Sequence, residues 1–288
     1  MLDYAPPIVA TLLVWWGSTG AILYLDGLSR RSFIWTMAAA SALFALSLWG
    51  IVATSAETTA SSAYYAFLCG ITAWAWQLVS YYMGFITGPR KTACPPNLRG
   101  WRRFIEAVRT SLYHEIAIIL CAIALVALTR DQPNQIGVWT FLILWWMHTS
   151  AKLNLYFGAP NLSEELLPEH LRYLATFMTR RPMNLFFPIS VTASTIVTVL
   201  IAQKAVAAAT AFELVGFTIL STLMALAVAE HWFLVAPLYA NALWSWGVKE
   251  IHSTDENDTC DSLRIAAIEA SLRASRISES WASRRMGR

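Results

Sequence analysis

Residues 136–157 read IGVWTFLILWWMHTSAKLNLYF, and this stretch decides the class of fold. It is long enough to cross a bilayer as one helix, since a spanning α-helix needs about 20 predominantly apolar residues. Its first half is apolar and aromatic, whereas His148, Lys152 and Asn154 follow in the second half without a break in helical character. The stretch therefore predicts a membrane-spanning helix with polar groups toward its carboxyl end.

The whole chain has the composition of an integral membrane protein. Of its 288 residues, 57% are hydrophobic and only 14% are charged, and the mean hydropathy is +0.48. A soluble domain could not easily bury so much apolar surface. The four cysteines are scattered without a CxxC pair, so neither a disulfide framework nor a zinc site is indicated. The net charge of +3 says little by itself, and we expect no nucleic-acid partner.

Seven segments are long and apolar enough to be spans: residues 5–25, 33–53, 63–86, 108–128, 136–157, 184–203 and 211–236. Arg and Lys are concentrated in alternate connections and in the tail, whereas the opposite loops contain only Arg130 and Lys204. Because Lys- and Arg-rich loops stay in the cytoplasm, this pattern predicts a periplasmic N-terminus and a cytoplasmic C-terminus. We therefore expect an all-α protein with a seven-helix membrane domain, residues 1–247, and a cytoplasmic tail, residues 248–288.

Two segments outside the spans have amphipathic patterns. Residues 161–181 place leucines at helical spacing between polar residues, which predicts an amphipathic helix on the inner membrane surface between spans five and six. Asn161 and Glu164 fit a capping box at its start. The tail begins with an acidic linker and continues with a helix-compatible sequence. A solvated helix and a helix docked on a membrane or partner both remain open there.

Polar side chains within spans are the candidate functional groups, since an ionisable group at a helix centre costs about 2.5–3.5 kcal/mol by insertion scales. On the predicted topology they gather in the inner half of the membrane, and they are Gln77, His114, Glu115, His148, Lys152, Asn154, Glu230 and His231. His148 and Lys152 are four residues apart and share one helix face. These residues would bind a pigment or a partner helix, or would join the helices of the bundle by ion pairs and hydrogen bonds.

Several kinds of membrane site do not match the pattern. A di-iron hydroxylase needs closely spaced histidine pairs, whereas the five histidines here form no HxxxH or HxxHH pattern. A retinal protein needs a lysine in the middle of its last span, and residues 211–236 contain no lysine. No firm metal signature is present, although a single metal held by His and Glu from several helices stays open. A tetrapyrrole is a more natural ligand, because neutral His ligates Fe or Mg axially and aromatic helices suit a flat ring.

A set of short stretches together resembles one known family. They are WWGSTGAILYLDGLSRRS, GFITGPRK, GWRRF, LYHE, PNQIGVWTF, SAKLNLYFGAPNLSEELLPEHLRYL, RRPMNLFFPISVTAS and EHWFLV. From about residue 8 to 247 the chain resembles the PuhE-type photosynthetic complex assembly proteins of purple bacteria. The resemblance implies a multi-pass protein of the bacterial inner (cytoplasmic or intracytoplasmic) membrane that serves the biogenesis of reaction-centre and light-harvesting complexes. It implies a link to bacteriochlorophyll supply or delivery, but it assigns no catalytic residue.

Three hypotheses about function follow. The first is an assembly factor whose polar cluster packs against, or transiently holds, a bacteriochlorophyll or a helix of a photosynthetic complex subunit. The second is a scaffold without pigment, in which the cluster only joins the helices and the inner loops and tail bind partner subunits. The third is an inner-leaflet enzyme of pigment or lipid metabolism, ranked below the scaffold because no metal or nucleophile spacing is recognisable. A transporter has the least support, since no inverted repeat is visible.

Overall fold

The computed structural model describes residues 2–164 and 167–236, and within these ranges the chain is all-helical, without a β-strand. The same ranges contain eight α-helices and two 3-10 helices, Leu2–Tyr4 and Glu169–Phe177. The α-helices are α1 (Ala5–Asp26), α2 (Phe33–Thr54), α3 (Ala60–Tyr82), α4 (Gly100–Arg109), α5 (Leu112–Leu128), α6 (Ile136–Phe157), α7 (Phe186–Val206) and α8 (Ala211–Phe233). Seven of them lie at the seven predicted segments, whereas α4 was not predicted.

Several of these helices are suited to a bilayer. By length and hydropathy, α1, α2, α7 and α8 could each cross a membrane, and α4 with α5, bent by 64° at their junction, would make a fifth span if the pair is one crossing. Large apolar side chains on the outer helices are exposed, among them Trp35 of α2, Leu120 of α5 and Ile189 of α7. Contiguous exposed apolar surface of this kind is rare on soluble proteins. The chain is therefore a multi-pass membrane protein.

The helix α3 lies at the centre of the bundle, in contact with α1, α2, α5, α6 and α8. The main hydrophobic core lies between α3, α6 and α8, and a second core joins α3 and α6 to α2 and α5. Two glycines set the closeness of α3 and α6. A Cβ atom on Gly70 would lie 2.6 Å from the carbonyl oxygen of Gly137, and one on Gly137 would lie 2.8 Å from that of Ala66. Small residues at such a crossing let two backbones approach closely, as is typical of membrane helices.

The segment between α6 and α7 differs from the predicted amphipathic helix at 161–181. Among its described residues, the longest helical part is the 3-10 helix Glu169–Phe177, in which Leu171, Leu174 and Phe177 are buried. Because a 3-10 helix has three residues per turn, the same leucine spacing gives one buried face without an α-helix. No helix begins at Asn161, whose side-chain amide instead donates to the carbonyl of Phe233 at 2.9 Å and ties the loop to the end of α8. The predicted tail, 248–288, lies outside the described residues.

Candidate functional site

An ion pair joins α5 and α6 at the end of the bundle where α5 begins and α6 ends. Lys152 Nζ donates to Glu115 Oε1 at 2.5 Å and to Ser111 Oγ at 3.1 Å. The ammonium also lies 5.5 Å from the centre of the Tyr81 ring of α3. The Lys152 and Glu115 side chains keep 30% and 23% of their surface exposed, so the pair is only partly enclosed. Three helices therefore meet at one cation.

Four aromatic and imidazole rings, each in contact with the next, form a row beside this ion pair. The His114 ring lies 4.5 Å from that of Tyr81 and 5.9 Å from that of His148, and the His148 ring lies 5.4 Å from that of Trp74. His114 is fully buried. Among the described residues, neither ring nitrogen of His114 has a hydrogen-bond partner, and neither does Nε2 of His148. The spacing of His148 and Lys152 thus directs both side chains toward α5, as their shared helix face predicts.

Gln77 of α3 is also fully buried. It lies beside the Cys121 thiol of α5, and within the described part of the chain its amide makes no hydrogen bond of good geometry. Buried polar groups are nearly always paired in proteins. His114, His148 and Gln77 therefore lie in a region between α3, α5 and α6. In this region several buried nitrogen and oxygen atoms have no hydrogen-bond partner among the described residues.

His231 and Asn154 face a different side of α6. His231 Nε2 lies 2.9 Å from Ser150 Oγ and its Nδ1 lies 2.9 Å from the carbonyl oxygen of Ala227. Asn154 Nδ2 donates to the Ser150 carbonyl at 3.0 Å and to Ser190 Oγ at 3.1 Å. Both side chains are buried with their polar atoms engaged, so they connect α6 to α8 and α7.

Asn184 fixes the start of α7 to the end of α6. Its Oδ1 accepts hydrogen bonds from the backbone N–H groups of Phe186 and Phe187, each at 2.9 Å, which caps the helix. Its Nδ2 donates to Asn154 Oδ1 at 3.1 Å and to the Gly158 carbonyl at 2.7 Å. The side-chain amide of Asn184 therefore hydrogen-bonds both to the first N–H groups of α7 and to oxygen atoms at the end of α6.

The eight predicted candidates divide into separate groups. His114, Glu115, His148 and Lys152 come together between α5 and α6, while Asn154 and His231 lie on the other side of α6. Gln77 of α3 lies beside Cys121 of α5. Glu230 does not join either group, because it accepts a hydrogen bond from Trp15 Nε1 at 2.9 Å and ties α8 to α1. The adjacent pairs 114–115 and 230–231 each send their two side chains to different neighbours, as the roughly 100° between successive helix positions requires.

A cavity of about 320 Å³ adjoins the ion pair. It lies between α4, α5, α6 and the 3-10 helix, and most of its lining is apolar. Its polar lining residues are Tyr81, Thr110, Ser111, Glu115, Thr149, Lys152 and Tyr156; the apolar ones include Phe104, Ala107, Val108, Leu174 and Phe177. The cavity combines an apolar chamber with an ion pair in one wall, which is a typical arrangement for a small-molecule site.

Two arginines hold the walls of this cavity together. Arg103 of α4 donates to the Phe177 carbonyl at 2.8 Å, and its guanidinium lies 4.9 Å from the centre of the Tyr156 ring. Arg90 lies 5.5 Å from the Phe177 ring and donates to Glu106 of α4 at 2.6 Å. These contacts fasten α4 and the 3-10 helix to α6.

Sequence reasoning missed four members of these networks: Tyr81, Ser111, Ser150 and Asn184. Ser150 lies between His148 and Lys152 in the sequence, but two positions correspond to a rotation of roughly 200° and place it on the opposite face. Ser111 and Asn184 lie in the first turn of the predicted segments 108–128 and 184–203, near helix starts, where hydroxyl and amide side chains are the usual caps. Capping chemistry at these helix starts could have indicated both.

Metal-ligating side chains do not cluster in the described part of the chain. Within residues 2–164 and 167–236, no three His, Cys, Asp or Glu side chains come together in a group that could hold a metal ion.

Known proteins place this chain in a family. The family described as "Protein of unknown function (DUF3623)" matches residues 1–255. A Rhodobacter capsulatus protein described as "Uncharacterized 30.4 kDa protein in puhA 5'region" is 33% identical over 252 residues, which is 86% of this chain and 92% of that relative. No solved structure matches the chain. The description of this relative, which places it in the puhA 5' region, agrees with the resemblance to PuhE-type proteins and confirms it. The chain belongs to the DUF3623 family.

Proposed function

We propose that this protein assists the assembly of photosynthetic reaction-centre and light-harvesting complexes in the bacterial inner membrane. The observation that carries the proposal is the relative from the puhA region, a photosynthesis gene region, which is similar over 86% of this chain. A multi-pass protein with exposed apolar helices is suited to this role, because the subunits it would meet are membrane helices. Its partners would be those subunits.

The proposal includes seven spans, α1–α3 and α5–α8, in a membrane domain of residues 1–247. The hydropathy of α3 and α6 is lower than that of a typical lipid-exposed span, but both helices pack against several others, which shield their polar side chains from lipid. The alternation of Arg and Lys between the loops supports a periplasmic N-terminus and a cytoplasmic tail at 248–288. The ion pair and the cavity would then lie toward the cytoplasmic side.

In this role the polar groups of α6 hold the bundle together while its outer surface meets partners. The contacts of Lys152, Asn154 and His231 each join α6 to a different neighbour, which supports a structural part for them. Exposed residues such as Trp35 and Leu46 of α2 leave apolar surface for partner helices or lipid. This is the scaffold version of the assembly function.

A second version, in which the protein transiently holds bacteriochlorophyll, is favoured by the unpaired nitrogens of His114 and His148. A neutral imidazole with a free nitrogen is an axial ligand for magnesium or iron. The packing of His114 is incompatible with a resident pigment in this conformation, because its ring is fully buried between the rings of Tyr81 and His148. No flat macrocycle can reach its nitrogens without separation of α3 and α5, so the scaffold version is the conclusion here.

Deletion of the gene in its photosynthetic host tests the assembly function. We expect membranes with fewer reaction-centre and light-harvesting complexes, measured by absorption spectra, while extracted pigments keep their normal chemical identity. A new pigment precursor that accumulates would indicate the enzyme hypothesis instead, and unchanged complex levels would refute the assembly function.

A second experiment separates the scaffold from the pigment version. The protein is purified from pigment-producing cells, and its absorption spectrum is compared with that of a His114→Phe, His148→Phe variant. The scaffold version predicts no tetrapyrrole band and normal complex levels in the variant strain. A band in the wild type that the variant lacks would establish the pigment version.

A further inference from the structure

The cavity beside the ion pair has a polar end and an apolar body. At the polar end, Lys152 has three N–H donors, and the structure gives it two acceptors, Glu115 and Ser111. Thr149 adds a hydroxyl whose oxygen is buried and has no hydrogen-bond partner among the described residues. Phe104, Leu174 and other apolar side chains line the remainder.

The charges at the polar end favour an uncharged ligand group. Lys152 and Glu115 neutralise each other, so they offer a donor and an acceptor without net charge. A ligand carboxylate at Lys152 would lie beside the Glu115 carboxylate, and a ligand ammonium at Glu115 would lie beside Lys152. Either like-charge contact is unfavourable where water is scarce. A hydroxyl or carbonyl group avoids both contacts and can pair with the Thr149 hydroxyl.

The position of the cavity favours a ligand that comes from the membrane. Residues of both α4 and α5 line the cavity at the 64° bend between these helices, where the apolar helix α5 begins. Val108, one of its lining residues, is exposed, so the cavity reaches the molecular surface. On the same face of α4, Trp101 and Ile105 are exposed as well, which is typical of a helix that lies in the membrane interface.

We propose that this cavity binds a neutral amphiphile, a molecule with one long apolar chain and a terminal hydroxyl or carbonyl group. The polar group lies at Lys152, Glu115 and Thr149, and the first part of the chain fills the space against Phe104 and Leu174. A volume of about 320 Å³ lies at the lower end of the range of about 300–1,000 Å³ for ligand sites. The remainder of a long chain therefore extends through the opening into the lipid. This binding activity is independent of the assembly function.

Photo-crosslinking of the full-length protein in detergent micelles tests the proposal. The probe is hexadecanol with a diazirine near its hydroxyl end, and mass spectrometry locates the labelled residues. We expect label on lining residues of α4, α6 and the 3-10 helix, and we expect unlabelled hexadecanol to displace it. Palmitate and hexadecane, which have the same chain with an anionic group and with no polar group, should compete much less. If palmitate or hexadecane competed as well as hexadecanol, the proposal that the cavity selects a neutral polar group would be wrong.

Two variants and a matched control test the location. Ala107→Phe places a ring into the cavity and should reduce labelling about tenfold. Ala127→Phe is the matched control, because it adds the same ring on the exposed surface of α5 outside the cavity lining and should leave labelling unchanged. Thr149→Val keeps the shape and removes one hydroxyl, with an expected loss of about threefold to tenfold in apparent affinity. Labelling that Ala107→Phe and Thr149→Val both leave intact would refute the site.

Discussion

Lys152 and Glu115 face each other across the α5–α6 interface with their charged atoms 2.5 Å apart, and the same pair forms the polar wall of the cavity. This one contact explains why an ammonium lies near the end of an otherwise apolar helix. Lys152 does not need to extend to a lipid headgroup, because its counter-ion comes from α5. The pair therefore links the stability of the bundle to the chemistry of the cavity.

Removal of one partner should destabilise the bundle more than removal of both. Lys152→Met leaves the Glu115 carboxylate partly buried without its counter-ion. We expect a loss of about 1–3 kcal/mol in the free energy of unfolding, below the 3–5 kcal/mol of fully buried pairs because both side chains keep some exposure. Thermal unfolding in detergent micelles measures the loss. The double variant Lys152→Met, Glu115→Leu should recover most of it, and a double variant less stable than either single one would contradict this account.

The sequence predicted the helices well and the site only in part, for physical reasons. Apolar runs of about 20 residues determine where helices form, so α1, α2 and α6 begin and end within a residue or two of their predicted bounds. Helix neighbours depend on packing, which no run of residues encodes. The pairing of Lys152 with Glu115 and of Glu230 with Trp15 therefore had to come from the structure. The helix α4 was missed because it has only 10 residues, four of them charged, so it does not form an apolar run.

Gly88 should be irreplaceable at the junction that positions α4 and α5. A Cβ atom at this position would lie 2.1 Å from the Arg109 carbonyl oxygen and 2.6 Å from the Thr110 carbonyl carbon, both backbone atoms at the end of α4. Backbone at a helix junction cannot move aside easily, so Gly88→Ala should lower the unfolding temperature and the yield of folded protein. Gly17→Ala is the control, since a Cβ atom there meets nothing within 4 Å. Equal behaviour of the two variants would refute this close approach.

Asn184 should contribute to stability through both ends of its amide. Asn184→Ala removes the cap of α7 and the hydrogen bonds to Asn154 and Gly158, with an expected loss of about 1–2 kcal/mol in the free energy of unfolding. Asn184→Ser keeps a hydroxyl acceptor for the α7 N–H groups and places no second acceptor against the Asn154 and Gly158 oxygens, so it should fall between alanine and wild type. Thermal unfolding of the three proteins gives the order. A serine variant no better than alanine would show that the cap contributes little.

His170 should make stability depend on pH below neutrality. It lies in the 3-10 helix outside the spans, and burial, together with the nearby Arg30 and Lys91, lowers the pKa of its imidazole below the ordinary value of 6.5, although a hydrogen bond with the Tyr82 backbone opposes this. The unfolded chain then binds a proton more readily than the folded one. The neutral ring contributes fully to the stability of the folded state above pH 6.5, and this contribution is lost as the pH falls toward the lower pKa of the folded state. His170→Gln removes this titration, so the unfolding temperature of the wild type should fall more steeply than that of the variant as the pH is lowered through this range. Parallel curves for the two proteins would show that His170 titrates alike in both states.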